Sequence, residues 1–136
     1  MSHPSDSAPV AEPLQYLRIY SDADGESHFS DEEIPFSLVD FAPPAPKISV
    51  SPPTLAERVV VISSPVGWHG DWHPAPDRQL MFCLDGELEI QVSDGESRQI
   101  GSGDVVLVED TAGRGHISRV VGTKRAYLAT AFVTDS

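Results

Sequence analysis

The sequence predicts an all-β protein, a sandwich or barrel of some eight or nine short strands. Three observations carry that expectation. Runs rich in Val, Ile, Leu, Phe and Tyr recur at roughly 8–12-residue spacing. Turn chemistry separates them: Asp24-Gly25, Asp85-Gly86, Asp94-Gly95 and Gly101-Ser102-Gly103-Asp104. Nothing sustains a helical period, and Leu55-Ala56-Glu57 offers one turn at most.

Taken in order, residues 1–13 are Ser/Pro/Ala-rich and read as a disordered tail. Leu14 to Tyr20 is a first strand, aromatic and branched. Ser21-Asp22-Ala23-Asp24-Gly25 then turns the chain, because Asp side chains cap their own backbone and Gly takes positive φ cheaply. Ser27 to Phe41 is extended and broken at Pro35, with Leu38-Val39-Asp40-Phe41 its firmest part. Ala42-Pro43-Pro44-Ala45-Pro46 and Ser51-Pro52-Pro53 forbid helix and cannot donate to a central ladder, so they are surface or edge connections. Residues 14–57 thus read as an N-terminal arm with Pro-rich connections, and 58–136 as a barrel.

Within that barrel, Arg58-Val59-Val60-Val61-Ile62 reads as a strand buried on both faces. Gln79 to Leu84 puts Gln79, Met81 and Cys83 on one face and Leu80, Phe82 and Leu84 on the other. Both faces are apolar, so both need covering. Glu87 to Val92 alternates strictly, with Leu88, Ile90 and Val92 inward. Ser97 to Ile100, Val105 to Val108, His116 to Val121 and Ala126 to Val133 complete the set.

Composition narrows the function classes. A net charge of −12 repels phosphate backbones and anionic lipid, so nucleic acid and membrane are not expected partners. The single cysteine, Cys83, cannot make an intramolecular disulfide and sits in an apolar strand as a small hydrophobe. No signal-peptide pattern or 18-residue apolar run is present, so a cytoplasmic location is expected. The Asp22-to-Gly25 spacing only faintly suggests a calcium loop, without the closing Glu.

The run from His73 to Gly86, with Gly103-Asp104-Val105-Val106 and His116, resembles a small single-domain cupin of the RmlC-like jelly-roll superfamily. The resemblance covers roughly Arg58 to Val133 and implies a double-stranded β-helix with an N-terminal strand arm. In that family, two histidines and a glutamate of a first motif and a histidine of a second hold a divalent metal. Here His73 matches the first histidine, Gly86 the motif's closing glycine, Gly103 the second motif's opening glycine, and His116 its histidine. Ala75 stands where the second histidine belongs, Gln79 where the glutamate belongs, and Val120 where the asparagine belongs. His69 lies four residues before His73, so in a straight strand the two would share a face. His69, His73 and His116 would then make the three-histidine set that some cupins use, and the resemblance implies iron, nickel, zinc or manganese. Gly70-Asp71 between them invites a bend that would break this parity.

Around these histidines the sequence offers Trp68 and Trp72 as ligand-stacking walls, Gln79 as a polar contact and Arg114 as a cation near the mouth. Asp71 is the carboxylate nominated to orient an imidazole. His73 is the candidate general base, since an imidazole titrates near neutral pH. Three function classes follow. The first is a small-molecule-binding barrel around His73, Gln79 and His116. The second is an enzyme: a metal-dependent dioxygenase, decarboxylase or isomerase, or a histidine-base isomerase or epimerase. The third is a filled-barrel structural or accessory protein. The apolar row Leu80, Phe82 and Leu84 adds the expectation of a homodimer.

Overall fold

The computed structural model describes residues 9–134. The tail expected over residues 1–13 lies outside them up to residue 8, and residues 9–13 carry no regular element. Eleven strands run through the described residues: β1 (Leu14–Ser21), β2 (Ser27–Ile34), β3 (Ser37–Val39), β4 (Ile48–Val50), β5 (Ala56–Ser64), β6 (Gln79–Asp85), β7 (Glu87–Val92), β8 (Ser97–Gly101), β9 (Val105–Glu109), β10 (His116–Val121) and β11 (Ala126–Val133). No helix among them is long and apolar enough to cross a membrane.

Two sheets build the barrel. One has the order β2-β1-β9-β6-β11-β5 and the other β10-β7-β8. Residues 68–73 add a fourth segment to the second sheet. His69 pairs with Arg119 and His73 with His116, and the His73 and His116 amides each bond the other's carbonyl, at 3.2 and 3.0 Å. Take β5, the 68–73 segment and then β6 to β11 as barrel segments 1 to 8. Their order is 1-8-3-6 in one sheet and 2-7-4-5 in the other. That interleaving is the double Greek key of a jelly roll, the fold expected from the sequence.

Strand parity fills the space between the sheets. Leu17 and Ile19, Cys83, Leu88, Ile90 and Val92, Ile100, Val106 and Val108, Val120, and Ala126 and Leu128 all pack into one core. The β7 row lies as its alternation predicted. The β1–β2 turn also forms as read: Asp22 Oδ1 accepts from the amides of Asp24 and Glu26 at 2.8 and 3.0 Å, and Gly25 has φ +83°. Asp85-Gly86 does not close a hairpin within one sheet. It carries the chain from the first sheet to the second.

β1 lies parallel to β9, pairing Leu17 with Val106 and Ile19 with Val108. Tyr16–Glu32 falls in one compact unit with residues 55 onward, and the buried Leu17 and Ile19 tie β1 to the core. Two expectations are corrected. The first concerns β5, which is an edge strand bonded only to β11. Val59 and Val61 stay 64% and 66% exposed instead of being buried on both faces. The second concerns Ser27 to Phe41, whose longer regular part is β2, not Leu38 to Phe41.

The remaining described residues form a smaller unit of 9–15 with Glu33–Thr54. In it β3 and β4 pair antiparallel, Ser37 opposite Val50, and the Ala11 amide bonds Ser49 Oγ at 2.9 Å.

Candidate functional site

A cavity of about 180 Å³ opens inside the barrel. Its walls are mostly apolar, with Ile62, Met81, Leu88, Ile90, Val108 and Leu128 among them, and Trp68 beside its mouth. His73, Gln79 and His116 all line it, as do the hydroxyl-bearing Ser64 and Ser118. The His73 and His116 rings sit 5.1 Å apart, centre to centre, tilted by 51°.

Local backbone explains why the two imidazoles meet. Besides the reciprocal bonds of their own peptides, the Ala75 amide donates to the Asp110 carbonyl at 2.9 Å. Gly115, at φ +77°, lets the chain before His116 lie directly against residue 73. A Cβ there would stand 1.9 Å from the His73 carbonyl oxygen. No side chain fits in that space, so only glycine permits this approach.

Each polar group arrives with one end already bonded. His73 Nδ1–H donates to the Asp71 carbonyl at 2.8 Å. His116 Nδ1–H donates to Asp110 Oδ2 at 2.6 Å. In the tautomer those bonds select, Nδ1 carries the proton and Nε2 is left as the acceptor. Gln79 Oε1 accepts from the buried Thr130 hydroxyl at 3.1 Å, which leaves its NH₂ to donate.

Asp110 is the residue sequence reasoning missed. It is wholly buried, and its Oδ1 has no hydrogen-bond partner among the described residues. A buried carboxylate is costly unless paired, so its bond to His116 is the interaction that sustains it. The signal was a second acid in a row, Glu109-Asp110, closing the apolar run Val105 to Val108, six residues ahead of His116. Asp71, nominated for the orienting role, holds His73 through its backbone carbonyl and not its carboxylate.

The other candidates separate. His69 does not join His73 and His116; it lines an outer recess with Glu89 and Arg119. Four positions separate His69 from His73, but only three separate their partners Arg119 and His116. The Gly70 amide still bonds the Ser118 carbonyl at 2.9 Å, so the extra residue lies between Gly70 and His73, a bulge that reverses parity between the two histidines. Trp72 and Arg114 pair with each other, the guanidinium carbon 4.2 Å from the ring centre, and neither lines the cavity. Arg78 turns away to Glu109, whose other oxygen bonds Arg18 Nε at 2.6 Å. Burial pushes the Glu109 carboxyl up, but the two guanidiniums outweigh it and hold its pKa below the ordinary value.

These residues do not fit a divalent metal. Two imidazoles line the cavity, the buried Asp110 carboxylate is bonded to His116, and among the described residues no group of three His, Cys, Asp or Glu converges. Two ligands without an anionic one do not hold such an ion firmly.

No family model matches the sequence, and no curated protein is similar enough to count as a match. Solved structures of similar fold include a cupin superfamily protein from Desulfitobacterium hafniense, 19% identical over 60% of this chain and 74% of that one, with TM-score 0.45. An RmlC-like cupin from Shewanella frigidimarina is 14% identical over 86% and 83%, with TM-score 0.42. The DMSP lyase DddQ from Ruegeria pomeroyi is 20% identical over 74% of this chain and 47% of that one, with TM-score 0.47. These likenesses are of fold alone. The barrel itself is defined by its strand pairing.

Proposed function

We propose that the barrel binds a small molecule, held by His73, Gln79 and His116. The observation that carries this reading is their convergence on one cavity with apolar walls. His116 is buried and Gln79 half-buried, while His73 is open to water; a buried bonding group costs about 1–3 kcal/mol to leave unmatched, unless a ligand or water completes it. The open volume argues against the filled-barrel reading. Native mass spectrometry of untagged protein, with thermal shift in its presence and absence, tests the proposal. Retained small molecule, lost on His116→Leu, supports it; a barrel that neither retains nor responds to any small molecule ends it.

One observation favours a second reading, proton transfer. Asp110 fixes the His116 tautomer that presents Nε2 as a base toward the cavity, and it would stabilise the imidazolium formed when that base takes a proton. A histidine-base isomerase or epimerase uses such a pair. Base-catalysed exchange of an acidic C–H of a bound probe in D₂O, abolished by Asp110→Leu, is its signature.

We further propose that the chain works as a homodimer in the cytoplasm. The outer face of the first sheet carries Val59, Val61, Phe82, Leu84 and Tyr127, all exposed in the single chain, beside the unpaired edge of β5. One buried free thiol, Cys83, suits a reducing compartment.

A further inference from the structure

We infer that the ligand of this cavity is an uncharged, mostly apolar ring or compact skeleton bearing one hydroxyl or N–H and one carbonyl or ether oxygen. The inference rests on the binding-site reading above and narrows it to a chemical class. Size comes first. A cavity of roughly 150 Å³ accommodates benzene, so about 180 Å³ suits on the order of six to ten non-hydrogen atoms. Nucleotides, nucleotide sugars and oligosaccharides are too large.

Charge comes second. Among the described residues, no Lys, Arg, Asp or Glu lines the cavity. The arginines beside Gln79, Gly115 and Ser118 are engaged elsewhere, Arg78 with Glu109, Arg114 with Trp72 and Arg119 with Glu89. The nearest carboxylate, Asp110, is spent on His116. An anionic ligand would lose its hydration to walls without a fixed cation, beside a buried carboxylate, in a chain of net charge −12. A cationic ligand would find a single aromatic wall, Trp68, and no free carboxylate.

Polarity comes third. The two Nε2 atoms accept and the Gln79 amide donates. A matching ligand offers a donor to the imidazoles and an acceptor to Gln79. A site arranged this way rejects an analogue lacking those groups, because the buried His116 and half-buried Gln79 are then left unmatched.

The test uses the full chain with Trp72→Phe, so that Trp68 reports on the cavity. Probes are phenol and 2-pyridone (neutral, with donor and acceptor), toluene (apolar only), benzoate (anion) and tetramethylammonium (cation). At pH 7.5 the expected result is a saturable Trp68 emission change and a raised Tm with phenol and 2-pyridone. Toluene should bind at least tenfold more weakly, and benzoate and tetramethylammonium should give no response. In His116→Leu the advantage of 2-pyridone over toluene should vanish while toluene still binds. Benzoate or tetramethylammonium binding more tightly than the neutral probes overturns this inference and leaves the binding site standing. Toluene equalling phenol overturns the hydrogen-bonding part. Silence from every probe overturns both the inference and the binding-site reading beneath it.

Discussion

Gly115 and Gly103 both hold positive φ, at +77° and +90°, but their surroundings differ. A Cβ at Gly103 meets nothing within 4 Å, whereas one at Gly115 meets the His73 carbonyl oxygen at 1.9 Å and Pro74 Cα at 2.4 Å. Gly103→Ala therefore costs only the left-handed backbone, about 1–2 kcal/mol. The stiffer unfolded chain offsets about 0.4–1 kcal/mol of this, which leaves roughly 1 kcal/mol. Gly115→Ala adds a clash between backbones. Relieving it means parting residues 73 and 116 by more than an ångström, which breaks their reciprocal amide–carbonyl bonds. At about 0.5–1.5 kcal/mol each, those two bonds raise the total to roughly 2–4 kcal/mol. Urea denaturation of the two variants and wild type, at equal m-value, reads the difference directly. The same displacement separates the His73 and His116 rings, so Gly115→Ala should also lose probe binding where Gly103→Ala keeps it. Equal destabilisation by both substitutions would refute the idea that close backbone approach assembles the site.

Three further outcomes are expected. His28 is bonded at both nitrogens to carboxylates, Asp22 Oδ2 at 2.7 Å and Asp94 Oδ2 at 2.8 Å, with the Tyr20 ring beside it. Its pKa is raised above 6.5, first by Asp22 and then by Asp94, so its stabilisation is complete below pH 6.5 and fades as pH rises through the raised value. The Asp22 and Asp94 carboxyls are held below 3.8, by His28 first for Asp22 and by the Glu96 amide first for Asp94, so their share fades as pH falls through the lowered values. Stability minus that of His28→Gln should peak between about pH 4 and 6.5, and a flat difference in chemical denaturation across that range contradicts it. Light scattering should give a dimer at tens of micromolar, converted to monomer by Val61→Glu; a wild-type monomer at that concentration rules the dimer out. Ala75→His with Gln79→Glu should raise nickel or zinc affinity by orders of magnitude in calorimetry, since each new ligand adds a bond and the carboxylate offsets charge. Stoichiometric metal on wild type, released by His69→Ala, overturns the assignment of His69 to the outer recess.

Much of the barrel was legible because period-2 patterning states which face is buried. Leu88, Ile90 and Val92 went inward as read, and Asp94-Gly95 closed β7 onto β8. Patterning says nothing of sheet order. Leu14 to Ser21 was recognisable as a strand, but its parallel pairing with β9 rests on contacts about ninety residues apart, which no local pattern encodes. The exposure of β5 was misread for a related reason. An apolar run reports that a face wants burial, and not whether the same chain supplies the cover; Val59 and Val61 are left bare by the single chain.

The site divides along the same line. His73, Gln79 and His116 were found because matched motif positions on two strands imply a shared interior, and the cavity contains all three. His69 was misplaced by parity: a count of four residues gives one face only while the ladder is regular, and the bulge between Gly70 and His73 adds a residue. Asp110 was missed because the motif spacing points to metal ligands and to an acid beside His73, whereas the buried acid serves His116 from just beyond β9. That partnership changes what the barrel can do. A metal centre needs His116 as one of several converging donors, while an imidazole whose Nδ1–H is committed to a buried carboxylate is set up to accept a proton or a ligand's hydrogen bond at Nε2. In a metal site the same carboxylate would merely orient one ligand among others. Here no third or fourth ligand converges among the described residues, so the Asp110–His116 pair is itself the chemically distinctive feature of the cavity. The choice between binding and proton transfer then depends on whether the bound molecule presents an acidic C–H to Nε2.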